Sequence, residues 1–317
     1  MVKVVVTGAT GGIGRTLVPL LAERGLDVVA SGRDREAGRA LCGPRVRFEP
    51  LDLVGGDIAP LVAGARIVVH LAARSSPWGA PADFRADNVA ATARLVEAAA
   101  AAGVVRLVHA STPAIFSERR HRLDLRSDSS PARRPANAYA LTKLEAERIV
   151  LGERRMETIV LRPSAVLGPD DKAILPRLMR VLSRGMLPVG NGGGAVFQPT
   201  DVRDSAEAFA AAALGTSTGA ANVAGPQPIG IVDMANALAA RLGTGFRILR
   251  LPEPALHALA ATAELAGRAT GREPPITRYS VASLSWSRSF DLRETEALLG
   301  WRPAFGPMDA LAHAVPR

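Results

Sequence analysis

Short, nearly continuous apolar runs alternate with longer stretches of helical periodicity through the first half of the chain. The runs fall at 3–7, 27–31, 46–48, 66–71, 105–110 and 158–162. They do not alternate apolar with polar residues, and strands covered on both faces read this way. Between them a 3.6-residue period predicts helices near 12–24, 84–102 and 139–154, with Gly25 and Gly103 where C-caps are expected. Pro19 falls inside the first helix and predicts a kink. This order of elements predicts an α/β fold, a doubly wound parallel sheet with right-handed crossovers.

After Pro163 the texture changes. Residues 163–200 carry clustered Pro and Gly around one helix near 173–184. A helix near 204–214 and a short strand at 222–224 look like a return to the core, and 225–317 reads as helices, loops and many prolines. The division that follows is a dinucleotide-binding unit over 1–165 with a return segment near 200–224. A smaller, interrupted substrate-binding portion takes 166–199 and 225–317.

Composition narrows the class. The 317 residues are 48% hydrophobic and 22% charged, which excludes general disorder. The single cysteine, Cys42, excludes an intramolecular disulfide or a multi-cysteine zinc site and fits a reducing compartment. Histidines 70, 109, 121, 257 and 313 lack metal-ligand spacing, so no metal is expected; His70 and His109 read as packed strand residues. The opening MVKVVVTG enters a strand at once, leaving no room for a signal peptide, and no apolar run is long enough for a membrane span. A soluble, cytoplasmic protein is expected. A net charge of +9 without a reading module or stacking aromatics argues against nucleic acid as a partner. Six arginines (119, 120, 122, 126, 133, 134) crowd one segment, read mainly as solvated, with capture of an acidic substrate group as the alternative.

Candidate chemistry begins directly after the first strand, at Thr7-Gly8-Ala9-Thr10-Gly11-Gly12-Ile13-Gly14. Glycines at 8, 11 and 14 permit a tight strand-to-helix turn and a close backbone approach to a pyrophosphate, which the helix N-terminus favours electrostatically. The second strand then ends Ala30-Ser31-Gly32-Arg33 with no carboxylate before Asp34. A carboxylate there would take the ribose 2′-hydroxyl of NAD, whereas Arg33 suits a 2′-phosphate, so NADP(H) is expected over NAD(H). Asp52, in Leu51-Asp52-Leu53, is placed either to accept from the adenine amino group or to cap a helix.

Tyr139-Ala140-Leu141-Thr142-Lys143 heads a helical segment. Four residues apart, the phenol and the ammonium share one face, and Lys143 together with an oxidised nicotinamide should lower the Tyr139 pKa. Ser111 and Thr112 end the fifth strand, where open parallel sheets bind ligands; either hydroxyl suits the reacting oxygen. Asn88 opens a helix, as a proton relay or as a structural brace.

TGATGGIG (7–14), HLAA (70–73), Asn88-Val89, HASTPAIF (109–116), YALTK (139–143), LRPSAVLGP (161–169) and LGWRP (299–303) together resemble the extended short-chain dehydrogenase/reductases. These are the NAD-dependent epimerase/dehydratase superfamily. The resemblance spans nearly the whole chain. Within it, SSPWG (75–79), LPRLM (175–179) and RGMLPVGNG (184–192) are similar to the 3β-hydroxysteroid dehydrogenase-like branch. It implies a seven-stranded Rossmann core, a C-terminal substrate domain, a Ser/Thr–Tyr–Lys site assisted by Asn, and Pro163–Val166 near the nicotinamide amide. By position it makes Thr112 the catalytic hydroxyl and Ser111 its neighbour. Leu53, Leu71, Ala72 and Ala73 join Gly8, Thr10, Gly11, Gly12, Ile13, Gly14, Arg33, Asp52, Pro163 and Val166 as candidate cofactor contacts, with Tyr139 and Lys143.

The expected function is therefore an NADP(H)-dependent oxidoreductase interconverting a ketone and a secondary alcohol on a small, largely apolar substrate. Two alternatives stand beside it, an NAD-retaining nucleotide-sugar epimerase or dehydratase and a non-catalytic NADP-binding regulator. Nucleotide-sugar enzymes typically carry Asn where this chain has Ala165, and Val202-Arg203-Asp204 departs from the usual Val-Asp-Asp or Val-Asp-Asn. Dimers are common in the resembling family, which leaves a homodimer open.

Overall fold

A computed structural model describes residues 2–171 and 174–316. Seven parallel strands form the main sheet: β1 (Lys3–Thr7), β2 (Asp27–Gly32), β3 (Val46–Pro50), β4 (Ile67–His70), β5 (Arg106–Ala110), β6 (Glu157–Pro163) and β7 (Gly219–Val223). Their order is β7-β6-β5-β4-β1-β2-β3, with every neighbouring pair parallel. The order reverses direction between β1 and β4, and in such sheets ligands bind outside the carboxyl ends of the strands at that point.

The continuous apolar runs have their physical cause here. Val4 and Val6 face a core built with Leu17, Val18 and Phe209, while Val5 faces the opposite core with Val68, Leu95 and Val96. Helices α1 (Gly12–Glu23) and α2 (Ala91–Ala101) cover opposite faces, joined by α3 (Ala138–Gly152) and, farther along the chain, α5 (Val202–Leu214). Gly25 and Gly103 follow α1 and α2 with φ of 84° and 72°, the left-handed caps expected there. Pro19 lies inside α1 without ending it.

The predicted helix 84–102 is present as an unbroken helical run over 81–101, but with a π-helical stretch inside it. Pro81–Phe84 is a helical turn, Arg85–Ala90 is π-helical, and α2 begins only at Ala91. The wide turn directs Asn88 inward, where it is buried.

Beyond β6 lies α4 (Leu175–Leu182); the predicted start of this helix at Ala173 falls outside the described residues. Leu167, Leu175, Leu182, Leu187, Val189, Met234, Leu238 and Leu311 form a separate small core. The later part of the chain also contains strands that the sequence reading did not place. Met186–Val189 pairs with Arg247–Arg250, and Val196–Phe197 pairs with Ile229–Gly230. Arg122–Leu125 pairs with Arg288–Phe290.

That last pairing lies in the arginine-rich segment. Arg119 binds both oxygens of the buried Glu253 carboxylate, and Arg126 pairs with Glu294. Arg122 donates to the Ser130 carbonyl. Arg119 and Arg126 tie the segment to the C-terminal part of the chain, while five of the six arginines remain exposed, as a mainly solvated run would be. Among the described residues no helix is long and apolar enough to cross a membrane, and no group of three or more His, Cys, Asp or Glu side chains could hold a metal.

Candidate active site

A cavity of about 1010 Å³ runs from the glycine-rich turn after β1, past the carboxyl end of β5, into the C-terminal part of the chain. Gly8 adopts φ of 70°, and a Cβ there would sit 2.5 Å from the Ala72 nitrogen. At Gly14 a Cβ would lie 2.6 Å from Ala9 and the Gly8 carbonyl oxygen. The two glycines thus let the turn close on the β4 loop and on its own helix. Gly11 at the N-cap supplies no side-chain cap, and the first turn of α1 carries no acidic residue. Gly11, Gly12, Ile13 and Gly14 line the cavity, so uncapped first-turn amides and a positive helix end meet it, an arrangement suited to a pyrophosphate.

Arg33 is exposed just beyond β2, with no ion pair or side-chain hydrogen bond among the described residues. The neighbouring Asp34 is engaged in capping the next helix through the Ala37 amide. Thr10 lies against Gly32, close to that strand end. Asp52 is exposed and holds the Val54 amide at 3.0 Å, a local turn rather than a helix cap, while Leu53 beside it is buried. Thr10, Arg33, Asp52, Leu53 and Ala72 lie outside the cavity lining, whereas Gly8, Leu71, Ala73, Pro163 and Val166 belong to it.

Tyr139 and Lys143 project from the first turns of α3, whose N-cap Asn137 accepts from the Ala140 amide at 2.9 Å. Both line the cavity beside Thr112. The side chains of Thr112 and Ser75 lie near the Tyr139 hydroxyl, close enough to act on its titration. Burial pushes its pKa up, and those two partners oppose the rise without cancelling it. Lys143 is buried, with Nζ 2.5 Å from the Ala110 carbonyl oxygen and 3.3 Å from His109 Nε2. Its own pKa falls to about 7 through loss of water, against the pull of Glu147. The expected lowering of the tyrosine by the lysine is therefore not met in the chain alone. The ammonium is turned to the end of β5, and desolvation governs both groups.

Two further expectations are corrected. Ser111 Oγ donates to Glu147 Oε2 at 2.6 Å, and Glu147 is in turn bound by Arg162 at 2.5 and 3.1 Å. The Ser111 hydroxyl thus serves a buried ion pair, leaving Thr112 as the one placed at Tyr139. Asn88 accepts from the Arg74 amide at 2.7 Å and donates to Thr142 Oγ1 at 3.1 Å. It braces α3 against the loop after β4 and does not reach Tyr139 or Lys143 directly.

Ser75 is the site residue that the residue-level reading missed. Its loop lies about 35 residues from Thr112 in sequence, and only the folded return after β4 brings the two to one phenol. At Ala165 the backbone takes φ of 40° inside the cavity wall, a conformation that Asn adopts more readily than Ala.

Below the site, His70 Nδ1 meets Thr7 Oγ1 at 2.7 Å and Nε2 meets Thr92 Oγ1 at 3.0 Å. Burial lowers the His70 pKa from 6.5 to about 3. The unfolded chain takes up a proton near pH 6.5 that folded His70 refuses until about pH 3, so stability is lost as pH falls through that window. His70→Gln should lose about 2 kcal/mol less than the parent between pH 7 and pH 5 in urea titrations. Equal losses in the two proteins would contradict this placement of the histidine.

Residues 4–224 match the family model described as NAD dependent epimerase/dehydratase family. The uncharacterized protein YbjS of Escherichia coli K12 is 32% identical, covering 95% of this chain and 93% of that protein. A 2-alkyl-3-oxoalkanoate reductase of Stenotrophomonas maltophilia is 28% identical, covering 95% and 94%. Among solved structures, MoeE5 in complex with UDP-glucuronic acid and NAD superposes with a TM-score of 0.76 at 25% identity, covering 99% of this chain and 97% of that one. The chain is a nicotinamide-dependent enzyme of the NAD-dependent epimerase/dehydratase family, whose members similar to it include a 3-beta-hydroxysteroid dehydrogenase.

Proposed function

We propose that this enzyme interconverts a ketone and a secondary alcohol on a small apolar substrate with NADP(H), in the reducing direction. The observation that carries the reading is the Tyr139 hydroxyl at the cavity wall beside Thr112 and Ser75, where burial raises its pKa further above neutrality. A protonated phenol at the cavity wall is a general acid for a carbonyl oxygen.

The glycine turn, Arg33 and Lys143 would hold the cofactor, which supplies the hydride when bound. Thr112 donates to the substrate oxygen and fixes it against Tyr139, and Tyr139 passes its proton to that oxygen. Lys143, with a pKa near 7, carries charge in only part of the population at neutrality and stabilises the phenolate left behind. Leu256, Ile276 and Trp286 contribute an apolar stretch of the same cavity wall, suited to the hydrocarbon part of a substrate.

The sugar-nucleotide reading is the rival. Ala165 lacks the polar side chain that the resembling epimerases place there, and the wall beyond it is largely apolar, so the ketone reading is favoured. Oxidation of NADPH over a panel of apolar ketones tests it; epimerisation of a sugar nucleotide with no NADPH consumed would oppose it. For the cofactor, Arg33→Ser should lower the NADPH-over-NADH preference in kcat/KM by about 10- to 100-fold, the range of one charge-assisted hydrogen-bonded contact. An unchanged preference would remove Arg33 from the 2′-phosphate site. We also propose that a small molecule is the enzyme's partner, with neither nucleic acid nor a membrane required.

A further inference from the structure

Among the described residues the two buried arginines are both matched to carboxylates, whereas the half-buried Arg288 is not. Arg106 pairs with Glu157 at 2.9 Å and Arg162 with Glu147 at 2.5 Å. Arg177, at the cavity edge, pairs with Glu273 at 3.2 Å. Arg288 lines the same cavity, and among the described residues no carboxylate forms an ion pair with it. Its Nη1 donates to the Pro113 carbonyl oxygen at 3.1 Å. Pro113 follows Thr112 directly, so the guanidinium is tethered beside the residue whose side chain lies near the Tyr139 hydroxyl.

The surroundings of Arg288 are short of negative charge. Arg122, itself a cation, stands opposite Arg288 in the register of the strand pair that joins them. Tyr279, on the helix Arg278–Ser285, also faces the cavity near the guanidinium. Arg278 plays no part here, because Glu264 binds it at 2.9 Å. Removal from water lowers the pKa of Arg288, with Arg122 acting in the same direction and Tyr279 against it. A guanidinium has five N–H donors in a planar fork suited to a carboxylate, and one backbone carbonyl satisfies only part of that set. Beyond it, Leu249, Leu251, Leu256 and Trp286 continue the apolar wall.

We infer that Arg288 is a specificity-determining residue that receives a carboxylate of the substrate, a few bonds from the carbonyl held by Thr112 and Tyr139, with the alkyl remainder lying along the apolar wall. The substrate class is an alkyl oxo acid in reduction and the matching hydroxy acid in oxidation. This rests on the ketone–alcohol reading for its chemistry, but its binding claim is separately measurable.

The probes are 3-hydroxydodecanoate and its methyl ester, which keep the alkyl chain and the hydroxyl and differ in the charge. Calorimetric affinity for the NADP⁺-loaded enzyme should favour the acid by about tenfold or more, the scale of a charge-assisted pair. Arg288→Gln should abolish that preference while leaving ester affinity within about twofold, and Arg288→Lys should restore part of it. In turnover, Arg288→Gln should raise KM for the acid far more than it lowers kcat. Equal affinity of the parent enzyme for acid and ester would overturn the inference, as would an equal loss for both ligands in Arg288→Gln. An Arg288-dependent acid preference in an enzyme that transfers no hydride to or from either probe would uphold the carboxylate site and refute the ketone–alcohol reading instead.

Discussion

Tyr139→Phe is expected to lower kcat by about three orders of magnitude while leaving NADPH affinity within about threefold. The phenyl ring keeps its volume and its tilted packing near Phe84, at 6.5 Å between ring centres. What disappears is the hydroxyl that stands beside Thr112 and Ser75 at the cavity wall. Loss of a positioned general acid falls in the range of about 10²- to 10⁴-fold, because water admitted to the site can deliver the proton only poorly. Stopped-flow measurement of the hydride step checks this. Near-parental turnover would mean that the proton reaches the carbonyl by another route.

The second large effect is structural. Glu147→Leu should destabilise the protein by about 3–5 kcal/mol, the usual consequence of stranding one partner of a buried ion pair. Glu147 accepts from Ser111 Oγ and from two nitrogens of Arg162, which also donates to the Ser127 carbonyl at 2.9 Å. This single carboxylate therefore ties α3 to the ends of β5 and β6, the three elements that carry Tyr139, Thr112 and Pro163. With roughly 2–4 °C per kcal/mol for domains of about 200 residues, Tm should fall by about 6–20 °C. The double variant Glu147→Leu/Arg162→Met should recover much of the loss, since it leaves no unpaired charge inside. A double variant as unstable as the single one would assign the effect to packing instead.

The parallel sheet was legible in the sequence because its strands are apolar on both faces, a pattern that survives without knowledge of neighbours. The glycine turn and the Tyr–Lys spacing were legible for a similar reason, since both depend on residues close together in the chain. Features that depend on distant partners were not. Ser111 and Thr112 are adjacent, and only the burial of Glu147 beneath them decides which hydroxyl remains for Tyr139. The inward turn at Asn88 needs a π-helical register that no local propensity announces. The arginine-rich segment is exposed as its composition suggests, but the partners of Arg119 and Arg126, Glu253 and Glu294, stand more than 100 residues away and are not legible locally. Arg288 went unremarked for the opposite reason. Its importance lies in having no acidic partner, a property visible only once the whole site is assembled.

Hydride transfer itself can be followed with NADPH deuterated at the transferable position of C4, using an apolar ketone and mass analysis of the alcohol formed. The account predicts one deuterium on the carbinol carbon of each product molecule, with one NADPH oxidised per alcohol. Alcohol formed without deuterium, or NADPH left unconsumed while a sugar nucleotide is epimerised, would contradict it.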